Sequence, residues 1–110
     1  MKLLMPVFPS CSRPDAIFAV SDVFAVAAAK AAAAHGLKIP DDLVIVGFDN
    51  IQLLSAVSTP PISSVQQPRF QMGYTAGEIL YDCITTGTSS VPQRITLPTE
   101  LIIRSSSLLK

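Results

Sequence analysis

Two short apolar runs, residues 16–20 and 43–46, are separated by a segment with the composition of a helix. Each run leads into a polar cluster, Ser21-Asp22 after the first and Asp49-Asn50 shortly after the second. Short apolar runs joined through a helix are typical of parallel strands in a β-α-β unit. The pattern therefore predicts an α/β fold built on a parallel sheet.

The segment between the two runs predicts a helix that ends near His35, with Gly36 as the stop. Ser21 or Asp22 can cap its first turn, because either side chain can accept from free amide groups there. Residues 23–34 are apolar almost all round, and such a helix is usually covered on more than one side. We expect one side to lie on the sheet, and a dimer interface to cover the other.

Beyond residue 50 the pattern predicts a less regular stretch, one strand, one helix and a broken strand. Residues 62–67 predict a short third strand, and the apolar spacing of residues 69–85 predicts an amphipathic helix. Two glycines one turn apart weaken that helix, so a close backbone contact on that face would give them a purpose. Residues 94–104 alternate as a strand, but Pro98 interrupts them, which predicts two short strands or an edge strand.

Composition limits the kinds of partner. Apolar residues make up 49% of the 110-residue chain and charged residues 15%, whereas about 25% charged is usual. One interpretation is a well-buried domain; the one we favour is that a partner chain or missing parts of a longer protein cover apolar faces. Zero net charge without a run of Lys or Arg argues against nucleic-acid binding by this chain. No membrane or secretion signal is recognisable in the sequence, so we expect a cytoplasmic location.

Signatures of catalysis are scarce. The single histidine, His35, lies at a helix end, where an imidazole commonly satisfies the last carbonyls. Cys11 and Cys83 are far apart without metal-type spacing, which indicates inert thiols. No nucleophile elbow, metalloprotease motif or glycine-rich phosphate loop occurs. The sequence predicts no enzyme, no metal site and no cofactor.

Small-molecule binding is the function that the strand ends favour, because ligands sit outside the carboxyl ends of open parallel sheets. Asp49 can accept two hydroxyl hydrogen bonds at once, as a sugar with vicinal hydroxyls would offer. The alternative role of Asp49 is to cap a helix or form a turn. The alternative role of Asp22 is helix capping, and in that case Ser21 is free to face a ligand. Gln66 and Gln67 can reach a polyol with their amides; the alternative is that both are merely solvated.

Five ordered features, which cover residues 14 to about 106, resemble the carboxyl-terminal part of LacI/GalR-family transcriptional regulators. They are residues 14–22 (PDAIFAVSD), 39–50 (IPDDLVIVGFDN), 60–68 (PPISSVQQP), Gly73 with its helix, and 97–104 (LPTELIIR). The resemblance implies a core like that of periplasmic sugar-binding proteins, with two α/β lobes and an effector cleft between them.

By this resemblance the chain holds pieces of both lobes of a periplasmic-binding-protein-like type I fold. Residues 1–13 are expected to be a connecting segment, and residues 14–110 a partial effector-binding and dimerisation domain. Within it, residues 14–67 and 99–107 are assigned to the carboxyl-terminal lobe, and residues 68–97 to the amino-terminal lobe.

The resemblance also implies contact residues. Effector contacts carry over to Asp49, then to Ser21, where family members often have Asn, and to Gln67; Asp22 is the fourth candidate. Family members form their dimer at places that match the alanine-rich helix and the stretch before Pro60. The corresponding interface residues are Phe24, Val26, Ala27 and Val57.

We therefore expect the carboxyl-terminal fragment of a sugar-responsive LacI-type regulator that binds an effector and forms a homodimer. Family members are longer, and they grip operator DNA with an amino-terminal helix-turn-helix that this sequence lacks. Operator DNA is thus expected as a partner only through a missing amino-terminal domain. Two alternatives stay open: a fragment of a periplasmic sugar-binding protein, and an association-only remnant without ligand binding.

Overall fold

The computed structural model describes residues 13–87 and 92–109. The expected connecting segment, residues 1–13, lies outside these ranges except for its last residue. The chain divides into two compact units. The first contains the residues up to Gln66 together with those from Glu100 onwards, and the second runs from Gln67 to Thr99.

The first unit is built on a four-stranded sheet in which the strands lie in sequence order. Strands β1, β2 and β3 are parallel, whereas β4 runs antiparallel to β3 at the edge. The strands are β1 (Ala16–Phe18), β2 (Val44–Phe48), β3 (Ser63–Gln66) and β4 (Glu100–Ile102). The predicted α/β class with a parallel sheet is confirmed.

Helix α1, Asp22–Ala34, links β1 to β2 and completes the predicted β-α-β unit. It begins after Ser21, whose backbone is extended, and within the described chain neither Ser21 nor Asp22 caps it with a side chain. The capping prediction was therefore wrong, because the Asp22 carboxylate bonds to other parts of the chain. His35 contacts the helix end as expected, with Nδ1 of its ring 2.8 Å from the carbonyl oxygen of Ala31.

The core of the first unit lies between α1 and one face of the sheet. Small side chains let the helix backbone approach the strands closely, and larger aliphatic side chains from the strands and adjoining loops fill the space beneath it. The buried apolar residues are Ala19, Ala25, Ala28, Ala29, Ala31, Ala32, Leu43, Ile45 and Ile62. The opposite side of α1 is open, and Val23 and Phe24 on it are each 56% exposed.

One segment differs from its predicted structure, and another follows one of two predicted alternatives. The stretch after Asn50, expected to be irregular, contains a short helix, α2 (Gln52–Ser55), which packs against α1. The segment that Pro98 interrupts forms an edge strand, β4, as the second alternative predicted, and described residues 92–99 contain no strand. Proline has no amide hydrogen to contribute to a ladder, so the pairing begins beyond it.

The second unit is formed by helix α3, Arg69–Thr86, and the segment that returns to β4. Among the residues described here, none of those in α3 is buried. Its apolar face and the returning segment border an open cavity of about 210 Å³, lined by Met72, Thr75, Ala76, Ile79, Gln93, Ile95 and Leu97. A Cβ at Gly73 or Gly77 would meet no atom of the described chain within 4 Å, so the predicted close backbone contact is not present.

Replacing Gly77 with alanine should stabilise α3, because the added methyl group meets open space and glycine is a poor helix former. We expect a gain of about 0.5–1 kcal/mol in the free energy of unfolding. Gly87→Ala is the matched control, since Gly87 ends the helix with a φ of +63°. That change should instead cost about 1–2 kcal/mol. Urea unfolding followed by far-UV circular dichroism measures both, and a loss of stability in Gly77→Ala would contradict the open face.

Candidate ligand-binding site

The parallel strands β1, β2 and β3 bring their carboxyl ends to one edge of the sheet. Asp49 follows β2 directly, and Ser21 follows β1 as the residue that precedes α1. The rings of Phe18 and Phe48 lie edge to face at these strand ends, with centroids 6.4 Å apart. Ser21 and Asp49 are thus brought to the same edge, whereas Gln67 begins the second unit.

The backbone at Asp49 and Asn50 turns through two consecutive residues with positive φ, of 99° and 51°. Few non-glycine residues adopt such angles, although Asn and Asp tolerate them better than most. The amide of Asp49 donates to the carbonyl of Val65 at 2.9 Å, which extends the pairing of β2 and β3. Backbone held in a sparsely populated conformation is typical of ligand sites, because the surroundings must compensate its cost.

Asn50 is the most heavily bonded residue of this turn and is only 3% exposed. Its backbone amide donates to Ser64 Oγ at 2.9 Å, and its Nδ2 donates to Gln66 Oε1 at 2.8 Å. Its Oδ1 accepts from Arg104 Nη2 at 2.8 Å and from the Ser55 hydroxyl at 3.3 Å. The side chain of Asn50 therefore fixes the turn from several directions.

Asp22 is fully buried, and both of its carboxylate oxygens accept hydrogen bonds from within the chain. Oδ1 accepts from the Ser64 hydroxyl, and Oδ2 accepts from the backbone amide of Ile51, each at 2.5 Å. A Cβ at position 47 would lie 2.3 Å from Oδ1, so Gly47 makes room for this carboxylate. We accordingly revise the role of Asp22 from effector contact to support of the turn after β2.

The segment after β4 is bonded to the centre of the sheet. Arg104 Nη1 donates to the carbonyl of Ile62 at 2.8 Å, in addition to the bond from its Nη2 to Asn50. The Ser106 hydroxyl donates to the carbonyl of Ile45 at 2.5 Å and accepts from the amide of Ser63 at 2.8 Å. Over residues 13–87 and 92–109, every buried side-chain nitrogen or oxygen has a partner.

Sequence reasoning missed three residues that build this site: Asn50 as an anchor, Ser64 and Arg104. The Ser64 hydroxyl donates to Asp22 and accepts from the Asn50 amide, so one side chain connects the two. All three lie in segments used for the family resemblance, which was the available signal. From the local pattern alone, Asn50 indicates only a turn, Ser64 a strand and Arg104 a strand end.

The proposed interface residues lie on the first unit. Phe24 is exposed, as stated above, and Val57, just beyond α2, is 73% exposed. Val26 and Ala27 are half-buried on α1. We call these four residues the association patch; Phe24 and Val57 are its exposed members, whereas Val26 also packs against the core.

Other chemistry was sought in the described residues. They contain no group of three or more His, Cys, Asp or Glu side chains able to hold a metal ion. None of the helices in this part of the chain is long and apolar enough to cross a membrane. Cys83 is a half-buried cysteine, whereas Cys11 lies outside the described ranges.

Residues 3–107 match the model of a family described as the periplasmic binding protein-like domain. The chain belongs to this family. It is 44% identical over 100 residues to the transcriptional regulator DegA of Bacillus subtilis, an alignment that covers 87% of the chain and 28% of DegA. Identity to the transcriptional repressor CytR of Escherichia coli is 40% over 94 residues, or 86% of the chain and 27% of CytR.

Solved structures of this family agree with the fold. A putative LacI regulator from Bacillus cereus superposes with a TM-score of 0.86 at 30% identity, over 96% of this chain and 36% of that one. The regulator CelR in complex with cellobiose superposes with a TM-score of 0.78 at 38% identity, over 84% of this chain and 28% of CelR. The resemblance to LacI-family regulators is confirmed, and the chain corresponds to part of their effector-binding region.

These relatives bear on one further expectation. They are transcription regulators, in agreement with the prediction that the chain is not an enzyme. The chain spans only about 28% of the length of the curated relatives.

Replacing Asp22 with asparagine should destabilise the first unit. An amide places a donor against either the Ser64 hydroxyl or the Ile51 amide, both of which donate to the native carboxylate. We expect a loss of about 2 kcal/mol, as for a buried hydrogen bond to a charged group. Asp41→Asn is the control, because Asp41 is exposed. Equal urea midpoints for the two variants would contradict the role assigned to Asp22.

Proposed function

We propose that this chain forms one wall of the effector site of a LacI-type transcription regulator, and that the effector is a sugar or a related polyol. The observation that carries the proposal is the placement of Asp49. The backbone of Asp49 has a positive φ at the end of β2. The next residue, Asn50, is anchored by its own buried side chain. A carboxylate so fixed offers a pre-organised acceptor for paired hydroxyl groups.

The surroundings of Asp49 suit a sugar. Ser21 adds a hydroxyl at the same sheet edge, and it can both donate and accept. The exposed ring of Phe18 supplies an apolar surface at the end of β1. A few polar groups beside an apolar surface are the usual composition of a small-molecule site. Gln67, which directly follows β3, remains a proposed contributor on the family resemblance.

Two solved relatives suggest the first compounds to try. CelR was solved as a cellobiose complex, and a LacI-family regulator of Lactobacillus casei, 27% identical to this chain, was solved with sucrose. Cellobiose and sucrose are therefore sensible probes. The alternative, a periplasmic sugar-binding protein, is less well supported because the curated relatives described above are transcription regulators.

In the regulator, we propose that the effector bridges two lobes. We assign residues 14–67 and 99–107 to one lobe and residues 68–97 to the other; the division of the chain after Gln66 and after Thr99 supports this. An effector that binds one lobe orientation better would shift the population toward it, and thereby change affinity for an operator. Operator contact belongs to a separate amino-terminal domain, and the site of action is the cytoplasm.

We further propose that the chain self-associates through the association patch. Contiguous exposed apolar surface is characteristic of protein interfaces, and an alanine-rich helix lets a second helix approach closely. The exposed apolar face of α1 and the neighbouring exposed Val57 support this assignment.

Asp49→Asn tests the effector site with little change to the backbone, because Asn tolerates the positive φ at this position. A compound at about 100 times its Kd should add about 2.7 kcal/mol of stability to the native chain and raise its Tm. We expect such a shift with at least one member of a panel of sugars, polyols, nucleosides and organic acids.

Asp49→Asn should weaken the binding of that compound by about tenfold or more, since a charge-assisted hydrogen bond is lost. Asp82→Asn on α3, an exposed carboxylate of the second unit, is the matched control and should behave as the native chain. Absence of a thermal shift across the whole panel would reject effector binding and leave association as the function of this chain.

Phe24→Asp and Val57→Asp test the association patch. At micromolar concentration the native chain should sediment as a dimer or larger species, and each variant should shift it toward the monomer, because a charge in an apolar interface is costly. Phe70→Asp is the control, since Phe70 is 84% exposed but lies on α3 in the second unit. A native chain that sediments only as a monomer would reject the proposal.

A further inference from the structure

The turn after β2 is bonded to Gln66, the residue after which the chain leaves the first unit. The two passages between the units follow Gln66 and precede Glu100. Strands β3 and β4 pair antiparallel, with Gln66 opposite Glu100, so the chain leaves and re-enters the first unit at adjacent positions. A residue bonded to Gln66 is therefore placed beside both passages.

Asn50 is such a residue. Its Nδ2 donates to Gln66 Oε1 at 2.8 Å, beside the outgoing passage. Its Oδ1 accepts from Nη2 of Arg104, which follows the returning strand β4 by two residues. One buried amide thus joins the turn to the outgoing and the returning chain.

Arg104 is held firmly enough to act as an anchor for Asn50. Its backbone amide donates to Ser63 Oγ at 2.7 Å, and its Nη1 donates to the Ile62 carbonyl at 2.8 Å. The planar guanidinium presents its donors in a fixed fork, so the bond of one nitrogen to Ile62 orients the other toward Asn50. A lysine at this position would supply a single, flexible ammonium group instead.

We propose that Asn50 is a positioning residue which, held by Arg104, fixes Asp49 for the effector and couples this turn to both passages between the units. The inference rests on the proposed effector site and adds a route by which occupation of Asp49 reaches the connecting strands. The competing explanation is that position 50 needs only a residue that tolerates a φ of 51°.

Asn50→Gly separates these explanations. Glycine adopts positive φ freely but removes the bonds to Gln66 and Arg104. The readout is backbone amide exchange by NMR in the 110-residue chain without ligand. The reporting amides are those of Asp49 and Ile51, which donate to Val65 and to Asp22; Ala19 and Val44 amides, bonded between β1 and β2, report on the rest of the sheet.

We expect Asp49 and Ile51 to exchange about tenfold faster in Asn50→Gly and in Arg104→Lys, as for loss of a bond to a charged group. The Ala19 and Val44 amides should keep their native rates. Amide resonances of Gln66 and Glu100 should shift in both variants. Arg94→Lys, at an exposed arginine of the second unit, is the matched control and should leave all these amides unchanged.

The double variant tests whether the two residues act together. If Arg104 acts through Asn50, exchange in the double variant should exceed that of the faster single variant by no more than about twofold. If the acceleration of exchange in the double variant equals the product of the two single accelerations, the proposal is overturned. Unchanged exchange at Asp49 in Asn50→Gly would also overturn it, as would equal acceleration at Ala19 and Val44, which would indicate a general loss of stability.

A titration with cellobiose, or with another panel compound that binds the native chain, forms the second arm. Asn50→Gly should weaken the binding of that compound by about tenfold, although in our proposal Asn50 does not itself contact the compound. Unchanged affinity would overturn the positioning role while leaving the effector site intact. If no compound binds the native chain, the proposed function fails by itself, and the exchange measurements alone decide the coupling of Asn50.

Discussion

The carboxylate of Asp22 is the constraint on which the rest of the first unit depends. It lies at the start of α1, fully buried, and accepts from the Ser64 hydroxyl of β3 and from the Ile51 amide beyond β2. Burial of a carboxylate is costly unless hydrogen bonds compensate it, so these two bonds favour the observed arrangement of the three segments. Gly47 belongs to the same constraint, because any side chain there would occupy the space of Oδ1.

From that anchor, the polar contacts extend toward the sheet edge in a continuous series. Ser64 links Asp22 to the Asn50 amide, and Asn50 links the turn to Arg104 and Gln66. Asp49, the residue before Asn50, has a positive φ, and its amide donates to the Val65 carbonyl. A rigid support for one carboxylate is what a ligand site needs, since pre-organisation lowers the cost of binding.

Much of this fold could be predicted from local patterns. The β-α-β unit, the extent of α1 and α3 and the parallel strands follow from apolar spacing and from glycine stops. The place of Asp49 at a strand end followed as well. The pattern could not indicate that Asp22 bonds away from its own helix, because a cap and a distant contact use the same residue type at the same position. Nor could it indicate that Pro98 removes only the first half of the last strand.

The sequence by itself determined the class of the fold, the family and the polar strand ends at which we propose a ligand site, because these depend on periodicity and on ordered motifs. The tertiary structure decided which polar residues face inward. Asn50, Ser64 and Arg104 are distant in sequence, and their hydrogen bonds exist only once β2, β3 and the segment after β4 lie side by side. Hydrogen-bond partners far apart in the chain are chosen by packing, which local sequence does not encode.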